Sequence, residues 1–398
     1  MKKVKLTNYA KQLDSLSPII KIMFICGLDI TSVAKYENTK VTSKFKLFYQ
    51  KLASMFWIIY PFYIIASIVT ADILTDVLQS VNGKIARRSV DISAFFIWGI
   101  MSVRKKQVYR LLHDVETLRS ITIKEIPKLW IITGMIIIIV VPFAAWMSMA
   151  IPFQDEKECK LIIVNYSFQL DLFNDGNNCH VLLIAFFFRQ LFVFTLRTAV
   201  TVIYVIICCT LRNIFNTHSE LGAKRVSNPK AEIGFVYFKS YVQTQEHMVS
   251  VLKSFEETMS LPIFLIVSSD FMGVMYGVVR LDPFNNLPNY ESRIIQYTSS
   301  IIFISLRGIV SFLCISLAAS EVHEASKKAS DVQKDMLKRI LISGEKSDIH
   351  KFVPFSIFCS NPPFILSAGG VFKFCKGLYL SALGAVLTYS LLIMQILK

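Results

Sequence analysis

The 398-residue chain is 54% hydrophobic and only 18% charged, with a mean hydropathy of +0.51 and a net charge of +15. Charge this sparse between long apolar runs excludes a soluble enzyme of ordinary composition and points to a polytopic membrane protein. The positive balance is not a nucleic-acid signal, because the basic residues sit between apolar runs without a DNA- or RNA-binding motif. Eight cysteines without a C-x-x-C pair and six scattered histidines offer no metal site, and no cofactor is expected.

The N-terminal segment, 1–46, is basic. Its first apolar stretch, Pro18 to Ile30, is short and broken by Lys21, so no cleavable signal peptide is expected and the first true span acts as its own insertion signal. Span one runs from Leu47 to Thr70 and contains Pro61. Span two, Ser89 to Val103, has a short apolar core and extends back toward Val77 as a partly exposed helix. A basic loop with Arg104, Lys105, Lys106, Arg110 and Arg119 leads to span three, Leu129 to Pro152. The loop Phe153 to Asn178 is acidic, carrying Asp155, Glu156, Glu158, Asp171 and Asp175. Span four, Cys179 to Leu211, is longer than a bilayer needs and should tilt or project. A polar stretch then runs to Ser260, followed by span five, Leu261 to Val279, a turn rich in Pro and Asn, and span six, Ile294 to Ala319. A charged segment and a Pro-broken stretch, Phe352 to Phe364, precede the last span, Phe374 to Lys398.

The chain thus reads as an all-α membrane protein of seven transmembrane helices. Lysine and arginine crowd the N-terminus and the second, fourth and sixth loops, which puts the N-terminus in the cytoplasm and the C-terminus outside; Lys84, Arg87 and Arg88 are the exception. The sequon Asn165-Tyr166-Ser167 then lies in an extracellular loop, where glycosylation is permitted. Cys159 and Cys179 flank the same loop and have two readings there, a disulfide or two free thiols. This orientation is opposite to that of a rhodopsin-type receptor. No Asp-Arg-Tyr-like triplet closes span three, and Asn361-Pro362-Pro363 lacks the tyrosine of N-P-x-x-Y.

Charges inside spans are costly, so they are informative. Arg189 and Arg197 lie in span four, Asp270 in span five and Arg307 in span six, the last three near mid-membrane. They read either as a buried pair that fixes helix register or as the lining of a hydrated cavity. One carboxylate cannot neutralise two arginines, so one guanidinium must reach water, a carbonyl or a ligand. The outer span ends hold Phe95, Phe96, Trp146, Arg189, Tyr276 and Tyr297. Such aromatics with a few polar groups suit a small-molecule pocket, and equally suit an aromatic belt or core packing. No nucleophile–base pair, phosphate loop or metal constellation assembles from the spacing, so no catalysis is expected.

In the last span Ser381, Gly384, Ala385, Thr388, Leu392 and Gln395 recur every three or four places and share one helical face. A stripe of small and weakly polar groups serves helix packing or lines a pore. Thr388-Tyr389, five residues and Gln395 resemble the T-Y-x5-Q-F signature of insect gustatory receptors. Phe364 to Phe372 and Gly384 to Tyr389 resemble the family's approach to that signature, although Ile396 stands where the family usually has Phe.

The resemblance implies a homotetrameric or heterotetrameric ligand-gated cation channel of the plasma membrane of chemosensory neurons, related to insect odorant receptors. It implies that 371–398 lines a central pore, with Gln395 and Ile396 at its narrow outer end and Leu392, Thr388 and Ser381 below them. Under it the stripe reads as pore lining first and packing second, and Tyr389 anchors the helix against a neighbour. Residues 47–319 would then carry spans one to six with a ligand pocket in their outer half, and 320–370 a cytoplasmic assembly segment. Phe95, Trp146, Arg189, Tyr276 and Tyr297 are the pocket candidates, and a mainly aromatic wall favours a bitter tastant over a sugar. A metabotropic seven-span receptor and a transporter are the readings from other classes. An epitope tag at Met1 is expected to bind antibody on intact cells only after permeabilisation; labelling without it overturns the orientation.

Overall fold

Length beyond the bilayer dominates the architecture. The structure, a computed structural model, describes residues 17–30, 44–74, 81–122, 128–150, 179–228, 233–280, 290–343 and 362–396. Its helices are α1 (Ser17–Ile25), α2 (Lys44–Leu74), α3 (Val81–Val103), α4 (Lys105–Thr122), α5 (Lys128–Ala150), α6 (Cys179–Ser227), α7 (Phe235–Arg280), α8 (Tyr290–Ser343) and α9 (Leu378–Ile396). A two-stranded hairpin, β1 (Ser367–Ala368) and β2 (Phe372–Lys373), precedes α9.

At 49, 46 and 54 residues, α6, α7 and α8 are roughly 70–80 Å long, against about 30 Å of hydrocarbon. Among the described residues Leu129–Ser148, Leu183–Ser227, Phe235–Val278 and Thr298–Ile342 are long and apolar enough to cross a membrane, and Ser89–Val103 and Leu380–Tyr389 are shorter apolar helices. The stretch between Leu211 and Leu261, polar in sequence, therefore does not end the spans. It carries α6 and α7 onward as helices longer than a bilayer needs.

These extensions have their own core. Phe238, Tyr241 and Val242 of α7 pack on Met336 and Ile340 of α8, with Val226 and Tyr237 at the margin. A Cβ on Gly222 of α6 would come within 2.6 Å of the Tyr241 hydroxyl and 2.7 Å of the Met336 methyl, so only glycine fits without displacing them. Arg339 of α8 donates to the carbonyls of Arg225, Val226 and Asn228, which the end of α6 cannot satisfy within the helix.

The basic loop after span two is also helical. Val108, Leu111, Leu112, Val115 and Leu118 are buried on one face of α4, with Glu116 buried beside them and paired with Arg119. Backbone bonds Arg104 N to Ile100 O and Val108 N to Arg104 O join α3 and α4 into one bent rod. The short N-terminal helix α1 ends in a Schellman turn: Leu28 N donates to Met23 O and Gly27 N to Phe24 O, with Gly27 at φ 84°. A Cβ there would also sit 3.1 Å from that of Ala53, so Gly27 serves both the turn and the α1–α2 contact. Tyr49 and Trp57 of α2 donate to the last carbonyls of this helix, at Ile25 and Cys26.

His218 stands in the extension of α6, seven residues beyond the apolar run that ends at Leu211. Its ring is stacked 3.9 Å from that of Tyr241, and burial pushes its pKa down to about 4. A histidine depressed on folding adds stability above its unfolded pKa, and that stability is lost as pH falls toward the folded value. Lowering pH from 7 to 5 is therefore expected to cost about 2 kcal/mol through this group alone. His218→Phe, which keeps the stack, should flatten that part of the pH dependence in thermal melts of the purified protein.

Candidate functional site

Two charged clusters tie α6 to its neighbours. In one, Arg197 of α6 donates from Nη2 to Asp270 Oδ1 of α7 at 2.8 Å and to the Ser269 hydroxyl, and Arg307 of α8 donates to the same Asp270 oxygen. All three ionised groups are largely withdrawn from solvent. The Arg307 guanidinium lies 5.0 Å from the centre of the Phe194 ring. Gly308 makes this approach possible, because a Cβ there would be 3.0 Å from the backbone oxygen of Asp270. Gly273 and Gly277 on the facing side of α7 similarly admit Ile304 and Ser305.

In the other cluster Arg189 of α6 donates from Nε to the Tyr60 hydroxyl of α2 at 2.8 Å and from Nη2 to Asp91 of α3. Tyr60 donates in turn to Asp91 Oδ1 at 2.8 Å. Three helices thus meet in one hydrogen-bonded clasp, surrounded by stacked rings: Phe56 on Phe192 at 4.5 Å, and Trp57 on Trp98 at 5.9 Å.

Of the pocket candidates, Arg189 is part of this clasp and Phe95 lies beside it on α3. Phe95, one turn from Asp91, is part-buried against Trp98. Trp146 donates from Nε1 to Leu183 O at 3.2 Å and meets Phe187 edge-on. Arg189 is engaged by Asp91 and Tyr60, and Tyr276 is part-buried on α7. The side chain of Tyr297 and residues Cys159 and Asn165 lie outside the described residues, as does the side chain of Cys179. Sequence reasoning missed Asp91 and Tyr60 altogether. The available signal was the position of Asp91, a carboxylate two residues into the Ser89–Val103 run.

The root of α9 is fastened to α7. Gly369 and Gly370, at φ 60° and 73°, are the two central residues of a turn closed by Val371 N to Ala368 O at 3.0 Å, the primed type in which both must have positive φ. Gly369 N donates to both oxygens of Ser260, at 2.7 Å to the hydroxyl and 3.1 Å to the carbonyl. A Cβ on it would stand 2.9 Å from the Phe264 ring, so shape and dihedral both demand glycine. Ser367 donates to Glu256, and Phe372 faces Phe264 and Phe271. Two residues past Ser260 lies Pro262, which has no N–H to give to Thr258 O. Arg104, at the α3–α4 bend, donates to that carbonyl at 3.3 Å and to Glu257 O.

The stripe on α9 is uncovered within the single chain: Ser381, Gly384, Ala385, Thr388, Leu392 and Gln395 are all exposed, as are Leu380, Leu387 and Tyr389. The side chain of Ile396 lies outside the described residues.

The family model described as "7tm Chemosensory receptor" matches residues 92–396. The fold agrees with it. The olfactory receptor OR5 of the insect Machilis hrabei superposes with a TM-score of 0.65 at 12% identity, covering 98% of this chain and 100% of that one. The same receptor in complex with eugenol superposes with a TM-score of 0.70 at 11% identity and the same coverage. No curated protein sequence matches the chain. The chain belongs to the 7tm chemosensory receptor family. It is a multi-pass membrane receptor and not an enzyme.

The Asp91 clasp gives a direct test of its structural weight. Asp91→Ala leaves the buried Arg189 charge without its carboxylate and is expected to cost about 3–5 kcal/mol. Pairing it with Arg189→Leu should return much of that loss. Thermal melts of the single and double variants measure both, and a double variant no better than the single one rejects the pairing.

Proposed function

We propose that this receptor is a tastant-gated, non-selective cation channel of the gustatory type, built from four chains around a central pore. The observation that carries the reading is the α9 stripe, where small and polar residues stay uncovered in one chain. A stripe used for packing within the chain would be covered by α7 or α8. Four copies around an axis would bring Ser381, Thr388 and Gln395 to water and ions, and leave Tyr389 and Leu387 for neighbouring helices. A ring of neutral carboxamides at Gln395 replaces part of a cation's hydration shell with little preference among cations, and a ring of Ile396 closes the path by dewetting.

The tastant would enter among the outer halves of the spans in 47–319, near Phe95, Trp146, Arg189, Tyr276 and Tyr297. Aromatic walls there favour an apolar bitter compound. With Arg189 held by Asp91, its part in the pocket is to orient the aromatic rings beside it, including Phe186 at 5.9 Å. Ligand binding would favour the open state by its higher affinity for that state. The extensions of α6 to α8, with 320–370, would hold the four chains together in the cytoplasm, and 371–398 would line the pore. In this reading the N-terminus is cytoplasmic, and the receptor sits in the plasma membrane of chemosensory neurons, as a homotetramer or with related subunits.

Expression of the chain alone, with currents recorded against bitter compounds and sugars, tests the function. Cation currents evoked by bitter compounds are expected, and currents evoked only by sugars would move the assignment to the sugar-responsive branch. In the agonist-activated channel Gln395→Cys should be modified by external water-soluble thiol reagents with loss of current. A cysteine there that never reacts while currents persist rejects α9 as the lining of the outer mouth.

A further inference from the structure

The Arg197–Asp270–Arg307 cluster carries a charge that its own side chains do not balance. Two guanidinium groups share one carboxylate oxygen, and the three side chains are 1%, 2% and 12% exposed for Arg197, Asp270 and Arg307. Asp91 is already matched by Arg189, and among the described residues no other carboxylate bonds Arg197 or Arg307. The hydrogen bonding is incomplete at the same place. Nε and Nη1 of Arg197 and Nε of Arg307 have no partner among the described residues.

An unbalanced charge at membrane depth is among the most costly things a helix bundle can hold. The face of the Phe194 ring offsets only part of it. Water can accept the free N–H groups but cannot cancel the charge. A monovalent anion does both, and a divalent one would only reverse the imbalance. We infer that the cluster is an anion-binding site, occupied by one halide or one carboxylate held on the guanidinium donors that Asp270 leaves free. Asp270 Oδ2, which also has no partner, repels such an occupant and so confines it to the arginine side. Arg307, the least buried of the three, marks the side of entry. The inference needs the helices to lie in a bilayer but does not need the channel to open, so it stands or falls apart from the proposed gating.

The test uses the purified full chain in lipid nanodiscs, melted by tryptophan fluorescence at constant ionic strength. Bulky isethionate is replaced stepwise by chloride or by acetate. A saturable rise in melting temperature of about 2–4 °C is expected with at least one of them. Chloride alone identifies a halide site, and acetate alone a carboxylate site. Arg307→Gln, which removes the surplus charge, should abolish the rise, and Arg307→Lys should keep it. Equal melting in all three salts overturns the inference, as does an undiminished rise in Arg307→Gln. Should Arg307→Gln fail to fold, saturable line broadening of chloride-35 and of carbon-13 acetate by the wild-type chain decides the point: broadening of either supports the site, and broadening of neither rejects it.

Discussion

A guanidinium in a bilayer has little water to fall back on, so its hydrogen bonds and its counter-charge must come from the protein around it or from an ion the protein binds. That demand fixes how α6 meets the rest of the bundle. Arg189 draws α3 and α2 to it through Asp91 and Tyr60, and Arg197 draws α7 and α8 through Asp270 and Arg307. The two arginines are eight residues apart, a little over two turns, so they leave α6 about 80° apart and reach different pairs of neighbours. Apolar packing alone would let α6 slide or rotate at small cost, since lipid tails and leucine side chains are equally apolar. Directional bonds to four neighbours do not.

Glycine makes the directional bonds reachable. Gly308 lets α8 come within ordinary contact of the α7 backbone beside Asp270, and Gly273 and Gly277 continue the groove toward the other end. Away from the membrane the same economy recurs at Gly222, but there the neighbours are the tips of Tyr241, Met336 and Val332 in a solvated helical core. One architecture therefore uses two solvents. Polar bonds set the register within the lipid, and a conventional apolar core holds the extensions beyond it.

Much of this could be read from the residues. Spans three to six follow from long apolar runs that few charges interrupt, and the meeting of Arg197, Asp270 and Arg307 follows from the cost of placing each alone in lipid. The stripe on α9 was visible from its spacing. Other features were hidden for identifiable reasons. The buried face of α4 repeats at helical spacing, but the many charges of the same segment make it read as a loop. The stretch before Ser260 is polar because it is a solvated helix, and polarity alone does not separate such a helix from a coil. Tyr60 in span one and Asp91 in span two find Arg189 of span four only in three dimensions. The hairpin before α9 is too short for any periodicity, and Gly369-Gly370 was its single local mark.

One imino acid links regions that are far apart in the chain. Pro262 leaves the Thr258 carbonyl open, and Arg104 reaches it from the elbow between α3 and α4. On the same turn of α7, Ser260 holds Gly369 and with it the foot of α9. The elbow and the foot are therefore hinged to one short length of rod, just where its internal bonding is weakest. A displacement of α7 at that joint bears on both at once, since elbow and foot are bonded to the same turn.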